Sequence, residues 1–370
     1  MMMSKTPHLW LGVLLALPLG SLWGQESYSE VVGYVKTTLT ANSDSIIAPQ
    51  LLRASELTAT VTSVSSAGAG QASLNLSGVS LAANQFQFNA STQPNTYFVL
   101  VTSGNLSGTY FLISSNTASS IVVNLDGLTV TGPDVTAIEV RPCWTLATLF
   151  PASDANVSFV PSASAGGNTR RTTLILPNTA GSGINRAASA TYFFNNTAGI
   201  QDWVSTTNSS TKVGHTAILP GTFLIHRNTG GTPATLTLTH SGSILVHPLT
   251  HYIGTLSNGP TDNYLALPRA TDYTLSQLGL TDASFTQSTS TGGNGRRDTL
   301  LVINAGGSGV NRAASATYFR FQTNWYSTAA PTVITNNAVI PAGAALIVRK
   351  VTGDGNDRIW VNTNNISLAN

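Results

Sequence analysis

The chain has 370 residues, enough for two or three domains of ordinary size. Only 9% are charged, against roughly 25% in an ordinary soluble protein, and the formal net charge is +2. That balance excludes the broad basic footprint of a nucleic-acid binder, and the 42% apolar content excludes disorder from low hydrophobicity.

Residues 1–24 read as a signal peptide. Lys5 supplies the positive n-region, Leu9 to Leu19 the apolar run, and Gly24 a small residue before cleavage. The run is shorter than the roughly 20 residues of a membrane span, and no comparable run follows it. The mature protein is therefore expected to be exported, with no membrane span. Cys143 is the single cysteine, so no disulfide can form within the chain.

Strand signals, β-branched or alternating runs bounded by Gly, Pro and Asn, dominate the rest. The spacing predicts strands at Leu57–Val64, Ala72–Leu76, Gln85–Phe88, Tyr97–Thr102, Tyr110–Ser114, Ile121–Asn124 and Ala137–Val140. Further on, strands are expected at Thr173–Leu176, Ala190–Phe194, Phe223–His226 and Leu346–Arg349. Only Leu146–Phe150 and Leu275–Leu278 suggest helical turns. The expected class is all-β.

Two thirteen-residue stretches, Gly181–Phe193 and Gly307–Phe319, differ only at Ile184 against Val310. A Gly-Gly-Asn-x-Arg-Arg-x-Thr-Leu run precedes each at the same distance, at 166–174 and 292–300. Self-similarity at this level marks an internal repeat. Asp44 then matches Asp262, Arg53 matches Arg269, Trp203 matches Trp325, and Arg227 matches Arg349. Glu56 and Trp144 match the adjacent Asp272 and Tyr273, which makes 57–143 an insertion. The expected architecture is two tandem β-sandwich or barrel-like modules, 31–56 plus 144–245 and 246–370. The inserted small β domain, 57–143, interrupts the first.

The combination Gly33-Tyr-Val-Lys, Ser43-Asp, Thr145-Leu-x-x-Leu-Phe150, Gly183-Ile-Asn-Arg-Ala, Ala190-Thr-Tyr-Phe, Trp203 and Pro220-Gly resembles a family of exported β-rich bacterial proteins of unknown function. The Trp, the Pro-Gly and the following aliphatic-Arg strand are also similar to short β modules of bacterial surface proteins. The resemblance implies no activity and no catalytic residue.

Chemistry is sparsely signalled. In the paired loops Asn185 and Asn311 tolerate the left-handed region, while Arg186 and Arg312 each offer five donors. An anion or acidic-glycan site is one reading of such a loop. The other, which the matched charges favour, is a clamp on the loop's own carbonyls, with matched charges pairing inside each module. Trp203 and Trp325 are either sugar platforms or core aromatics. The five histidines from His215 to His251 read as incidental surface residues, and no metal or cofactor is expected. No nucleophile elbow and no phosphate loop occur, while a glycosidase needs only two carboxylates at a suitable separation. The expected function is a non-catalytic exported structural or interaction protein at the cell surface, partnered by itself or by other surface proteins. Low net charge favours self-assembly. A carbohydrate-binding protein with a glycan partner is the alternative, and a secreted glycoside hydrolase the third reading.

Overall fold

Strand β1 (Val32–Leu39) alternates exposed and half-buried residues, and β2 (Ser43–Ile47) is buried throughout. They belong to a computed structural model in which residues 30–152, 158–230 and 234–363 are described. The segment 1–24, read from the sequence as a signal peptide, and Asp154 lie outside the described residues.

Six strands follow: β3 (Leu57–Gly68), β4 (Gln71–Leu76), β5 (Tyr97–Ser103), β6 (Tyr110–Asn116), β7 (Ser120–Asn124) and β8 (Ala137–Pro142). They close into a barrel of order β3-β4-β7-β6-β5-β8. Register shifts at Val61/Ser63 in β3, Val101/Ser103 in β5 and Ile113/Ser115 in β6 add the bends that closure needs. Alternate residues such as Leu74, Val99, Phe111, Ile121 and Val140 fill the interior. The expected strand Gln85–Phe88 is instead a turn. Its alternating Gln-Phe pattern imitates strand period, but Phe86 is fully buried. Its N–H donates to Asn116 Oδ1 at 2.9 Å and its ring meets Tyr97 at 5.1 Å, so it plugs the barrel.

The ends of the barrel leave side by side. Leu57 faces Val140, and the Glu56 N–H donates to the Val140 carbonyl at 2.9 Å. The barrel is not detached, however. Strand β5 is buried on both faces, because Phe98 and Leu100 pack outside it against Leu52, Cys143, Leu245 and Leu249.

After the barrel come β9 (Trp144–Thr145), the one-turn helix α1 (Leu146–Leu149), β10 (Thr172–Leu176), β11 (Ala190–Asn195), β12 (Asp202–Ser205), β13 (Ala217–Ile218), β14 (Leu224–Asn228) and β15 (Leu236–Ser243). The second half runs through β16 (Leu249–Ile253), β17 (Thr261–Ala266), β18 (Tyr273–Thr274), a 3-10 turn at Leu275–Leu278, β19 (Thr299–Ile303), β20 (Ala316–Phe321), β21 (Asn324–Ser327), β22 (Val339–Ile340), β23 (Ala345–Lys350) and β24 (Arg358–Asn362). Two five-stranded antiparallel sheets result, β2-β14-β10-β11-β12 and β17-β23-β19-β20-β21, with the same strand order. The ribbon β1-β15 corresponds to β16-β24, and β9-β13 to β18-β22.

Each sheet has its own core. Leu146, Leu149, Phe159, Leu174, Trp203, Ile218 and Leu224 fill the first. Leu275, Leu278, Phe285, Leu300, Trp325, Ile340 and Leu346 occupy the matching places in the second. A third apolar layer joins them: Ile46, Ala48 and Phe223 from the first half meet Ala266 and Ala345 from the second. The described residues from Val31 onward pack as one compact unit.

Candidate functional site

Asp44 lies on β2 opposite Arg227 of β14, as register partners. Arg227 Nε donates to Asp44 Oδ1 at 2.7 Å and Nη2 to Oδ2 at 2.8 Å. Asp262 and Arg349 repeat this fork between β17 and β23, at 2.7 and 3.0 Å. Both carboxylates are buried, with side chains 4% and 1% exposed. The hydrogen bond from each guanidinium to its carboxylate, ahead of any burial cost, holds both arginines above their ordinary pKa. Charge pairing inside each half was expected from the sequence, and these two pairs follow it. The other matched pairs behave differently: Glu56 binds Tyr97 Oη, Arg53 and Arg269 bind carbonyls, and Arg170 and Arg296 cap the rings of Phe193 and Phe319 at 4.8 and 4.9 Å.

Each ion pair receives the Gly-Ser-Gly-x-Asn-Arg loop of the other half. Asn311 sits at φ 54° and Gly309 at φ 97°, so the loop turns its N–H groups outward. The Asn311 N–H donates to Asp44 Oδ2 at 2.7 Å, Gly309 N–H to Ser43 Oγ at 2.9 Å, and Asp44 N–H to the Gly309 carbonyl at 2.9 Å. Arg227 Nη2 reaches Asn311 Oδ1 at 2.7 Å. In the opposite direction Asn185 N–H donates to Asp262 Oδ2 at 2.8 Å, Asp262 N–H to the Gly183 carbonyl at 3.0 Å, and Arg349 Nη2 to Asn185 Oδ1 at 2.9 Å. The sequence singled out the loops and led to the expectation that matched charges pair within each half, but gave no sign that each loop docks on the far half. Sequence separations of 77 and 267 residues carry no local signal.

The two arginines divide their donors differently. Arg312 Nη1 binds the Asp44 carbonyl at 3.2 Å, and Nη2 binds the Asn304 and Gly306 carbonyls at 3.0 and 2.7 Å. It ties its own loop and crosses to the other half. Gly307, at φ 147°, permits this, since a Cβ there would meet Arg312 Nη2 at 2.3 Å. Arg186 Nη2 binds the Asp262 carbonyl, and its Cζ lies 4.9 Å over the Tyr264 ring. Its Nε is buried without a partner. Two differences accompany this: Tyr264 stands where the first half has Ile46, which offers no π face, and Gly181 lacks the positive φ of Gly307.

Trp203 and Trp325 are 1% and 3% exposed. Trp203 packs on Phe159 at 4.7 Å and Trp325 on Phe285 at 5.1 Å. Neither indole has a face open to a sugar, because both are core aromatics. The histidines also depart from expectation. His226, His240 and His251 are buried rather than on the surface, and burial pushes all three down to about 4. Among the described residues no group of three His, Cys, Asp or Glu side chains is placed to hold a metal ion. No helix among them is long and apolar enough to cross a membrane.

Sequence reading missed two features. One is the buried ion pair Asp298–Lys350, at positions where the first half has Thr172 and Asn228. The other is a cleft of ≈ 350 Å³ where the barrel meets both halves. No family model, curated protein or solved structure matches the chain.

Proposed function

We propose that this is a non-catalytic exported protein with a structural or interaction role at the cell surface. In this reading 31–56 plus 144–245 and 246–370 are two β modules fixed into one rigid body, and 57–143 is a barrel inserted in the first. The observation that carries it is how the most chemically equipped residues spend their donors. Asn185, Arg186, Asn311 and Arg312 bond the opposite half, and Asp44, Asp262, Arg227 and Arg349 complete the same reciprocal clasp. Residues so engaged hold a shape; they are not open to a substrate. The signal-like N-terminus and the resemblance to exported bacterial proteins support the compartment.

Carbohydrate binding, the alternative, has lost the platforms it relied on, since Trp203 and Trp325 lie in the cores. Fractionation of native cells with intact mass of the exported protein tests the proposal. A mature chain beginning at Gln25, found at the surface or in the medium, is expected; a cytoplasmic protein retaining Lys5 would overturn it. A glycan array on the mature protein is expected to be blank. Binding there, lost on a surface substitution, would move the assignment to the alternative.

A further inference from the structure

The ≈ 350 Å³ cleft is bounded by three parts of the molecule. The barrel contributes Tyr110 and Asp126, the first half the segment Leu219–Thr222, and the second half His251, Tyr252 and Asp357. Its size is within the range of small-molecule sites, and junctions between parts of a fold are where such sites concentrate. Its chemistry is one-sided. Two carboxylates line it, and no lysine or arginine does.

Those two carboxylates stand apart from the other described acidic side chains. Asp44, Glu139, Asp262, Asp282, Asp298 and Asp354 are in ion pairs. Glu56, Asp134, Asp202 and Asp272 accept hydrogen bonds from Tyr97, Thr131, Trp203 and Ala342, and Glu30 also has a partner. Asp126 and Asp357 are exposed, have no partner among the described residues, and line the same cleft. A polar group without a partner borders the same cleft. His251 is 6% exposed, lines the cleft, and carries a buried Nε2 with no hydrogen-bond partner.

We infer that this cleft binds a small organic cation, an ammonium group on an apolar body, between the Asp126 and Asp357 carboxylates and the rings of Tyr110 and Tyr252. The carboxylates supply attraction that no lysine or arginine in the lining cancels, and the tyrosine faces add cation–π attraction. Leucine side chains along the wall, Leu112 and Leu219 among them, take the apolar body. Anions are repelled, and a neutral polyol leaves both carboxylates without a counter-charge. A ligand seated here would touch the barrel and both halves together, so its binding should raise the melting temperature of the whole molecule.

The test uses the mature full-length protein with three probes of one shape: 2-phenylethylammonium, 2-phenylethanol and phenylacetate, followed by calorimetry and thermal shift. The ammonium probe is expected to bind saturably and to weaken as salt is raised; the alcohol should bind at least about ten-fold more weakly, and phenylacetate not measurably. Asp126→Asn and Asp357→Asn should each weaken the ammonium probe by about five- to ten-fold while the free protein melts as before, since neither carboxylate has a partner to lose. Equal binding of alcohol and ammonium would overturn the inference. So would affinity unchanged in both variants, or no saturable binding of the ammonium probe. Maltose, run as a fourth probe, would refute the cation assignment if it bound and the ammonium did not.

Discussion

Asp44 and Asp262 each accept from an arginine on their own sheet and from an asparagine N–H of the other half. Removing a charge from such a place leaves a guanidinium and a loop without their common acceptor. Arg312 and Arg186 test the arrangement most directly. Arg312→Ala removes bonds to three carbonyls at 3.2 Å or less and should cost about 1.5–3 kcal/mol, with Lys recovering little because it lacks the planar fork. Arg186→Ala should cost less, since that side chain has one carbonyl and one ring and an unpaired Nε. Thermal unfolding of both variants decides, and a loss at Arg186 equal to that at Arg312 would contradict the division of donors. The buried histidines make a second prediction. Burial lowers His226, His240 and His251 from 6.5 to about 4. The unfolded chain therefore binds more protons between those values, and stability falls as pH drops from about 6.5 to about 4. A shift of that size is worth about 3 kcal/mol per group as an upper bound. Urea midpoints measured from pH 7 to pH 4 should decline, and His226→Gln should flatten the decline. A flat profile in the parent protein would show that these rings are not held neutral.

At the scale of elements, the paired loops and the barrel obey different rules. The loops hold a left-handed asparagine and glycines because the docked turn demands positive φ, as at Asn185 (φ 52°) and Asn311 (φ 54°). Gly307→Ala should displace the Arg312 guanidinium and reproduce much of the Arg312→Ala loss, measured again by melting. The barrel begins and ends at neighbouring points, as its place inside the repeat suggested, yet its outer face is not a free surface. Phe98 and Leu100 are 1% exposed against the rest of the chain. Joining Glu56 to Trp144 through a short Gly-Ser link would uncover Leu52, Leu245 and Leu249, at roughly 1.5–3 kcal/mol per fully buried side chain. The joined chain should therefore fold with a melting temperature clearly below the parent. The excised barrel should need Phe98→Ser and Leu100→Ser to stay monomeric in sedimentation. A joined chain as stable as the parent would mean the packing around Phe98 contributes nothing.

Across the whole molecule, the reciprocal clasp and the shared layer of Ile46, Phe223, Ala266 and Ala345 couple the two halves. Neither half contains both a loop and the ion pair it docks on. Scanning calorimetry of the mature protein should give a single cooperative transition. The double variant Asp44→Asn with Asp262→Asn removes both acceptor charges from the clasp but leaves each hydrophobic core intact, so it should separate the melting into two transitions. One transition in the double variant would mean that the apolar layer alone carries the coupling.

The sequence by itself determined the all-β class, most strands and both helical turns, and it marked the paired loops as near-identical copies. It did so because period-two burial, turn residues and a near-identical repeat are local signals. Leu174 and Leu300, or Trp203 and Trp325, occupy matching core places because the same pattern folds the same way twice. What only the tertiary structure decided was partnership across distance. Arg312 was expected to clamp its own loop, and it does so while also reaching Asp44, 268 residues away. The Gln-Phe alternation at 85–88 looked like a strand until closure of the barrel turned Phe86 inward as a plug. The pairing of Asp298 with Lys350 and the unpartnered Asp126 and Asp357 were equally invisible. A charge's partner, or its lack of one, depends on which surfaces meet after collapse, and no periodicity in the chain records that.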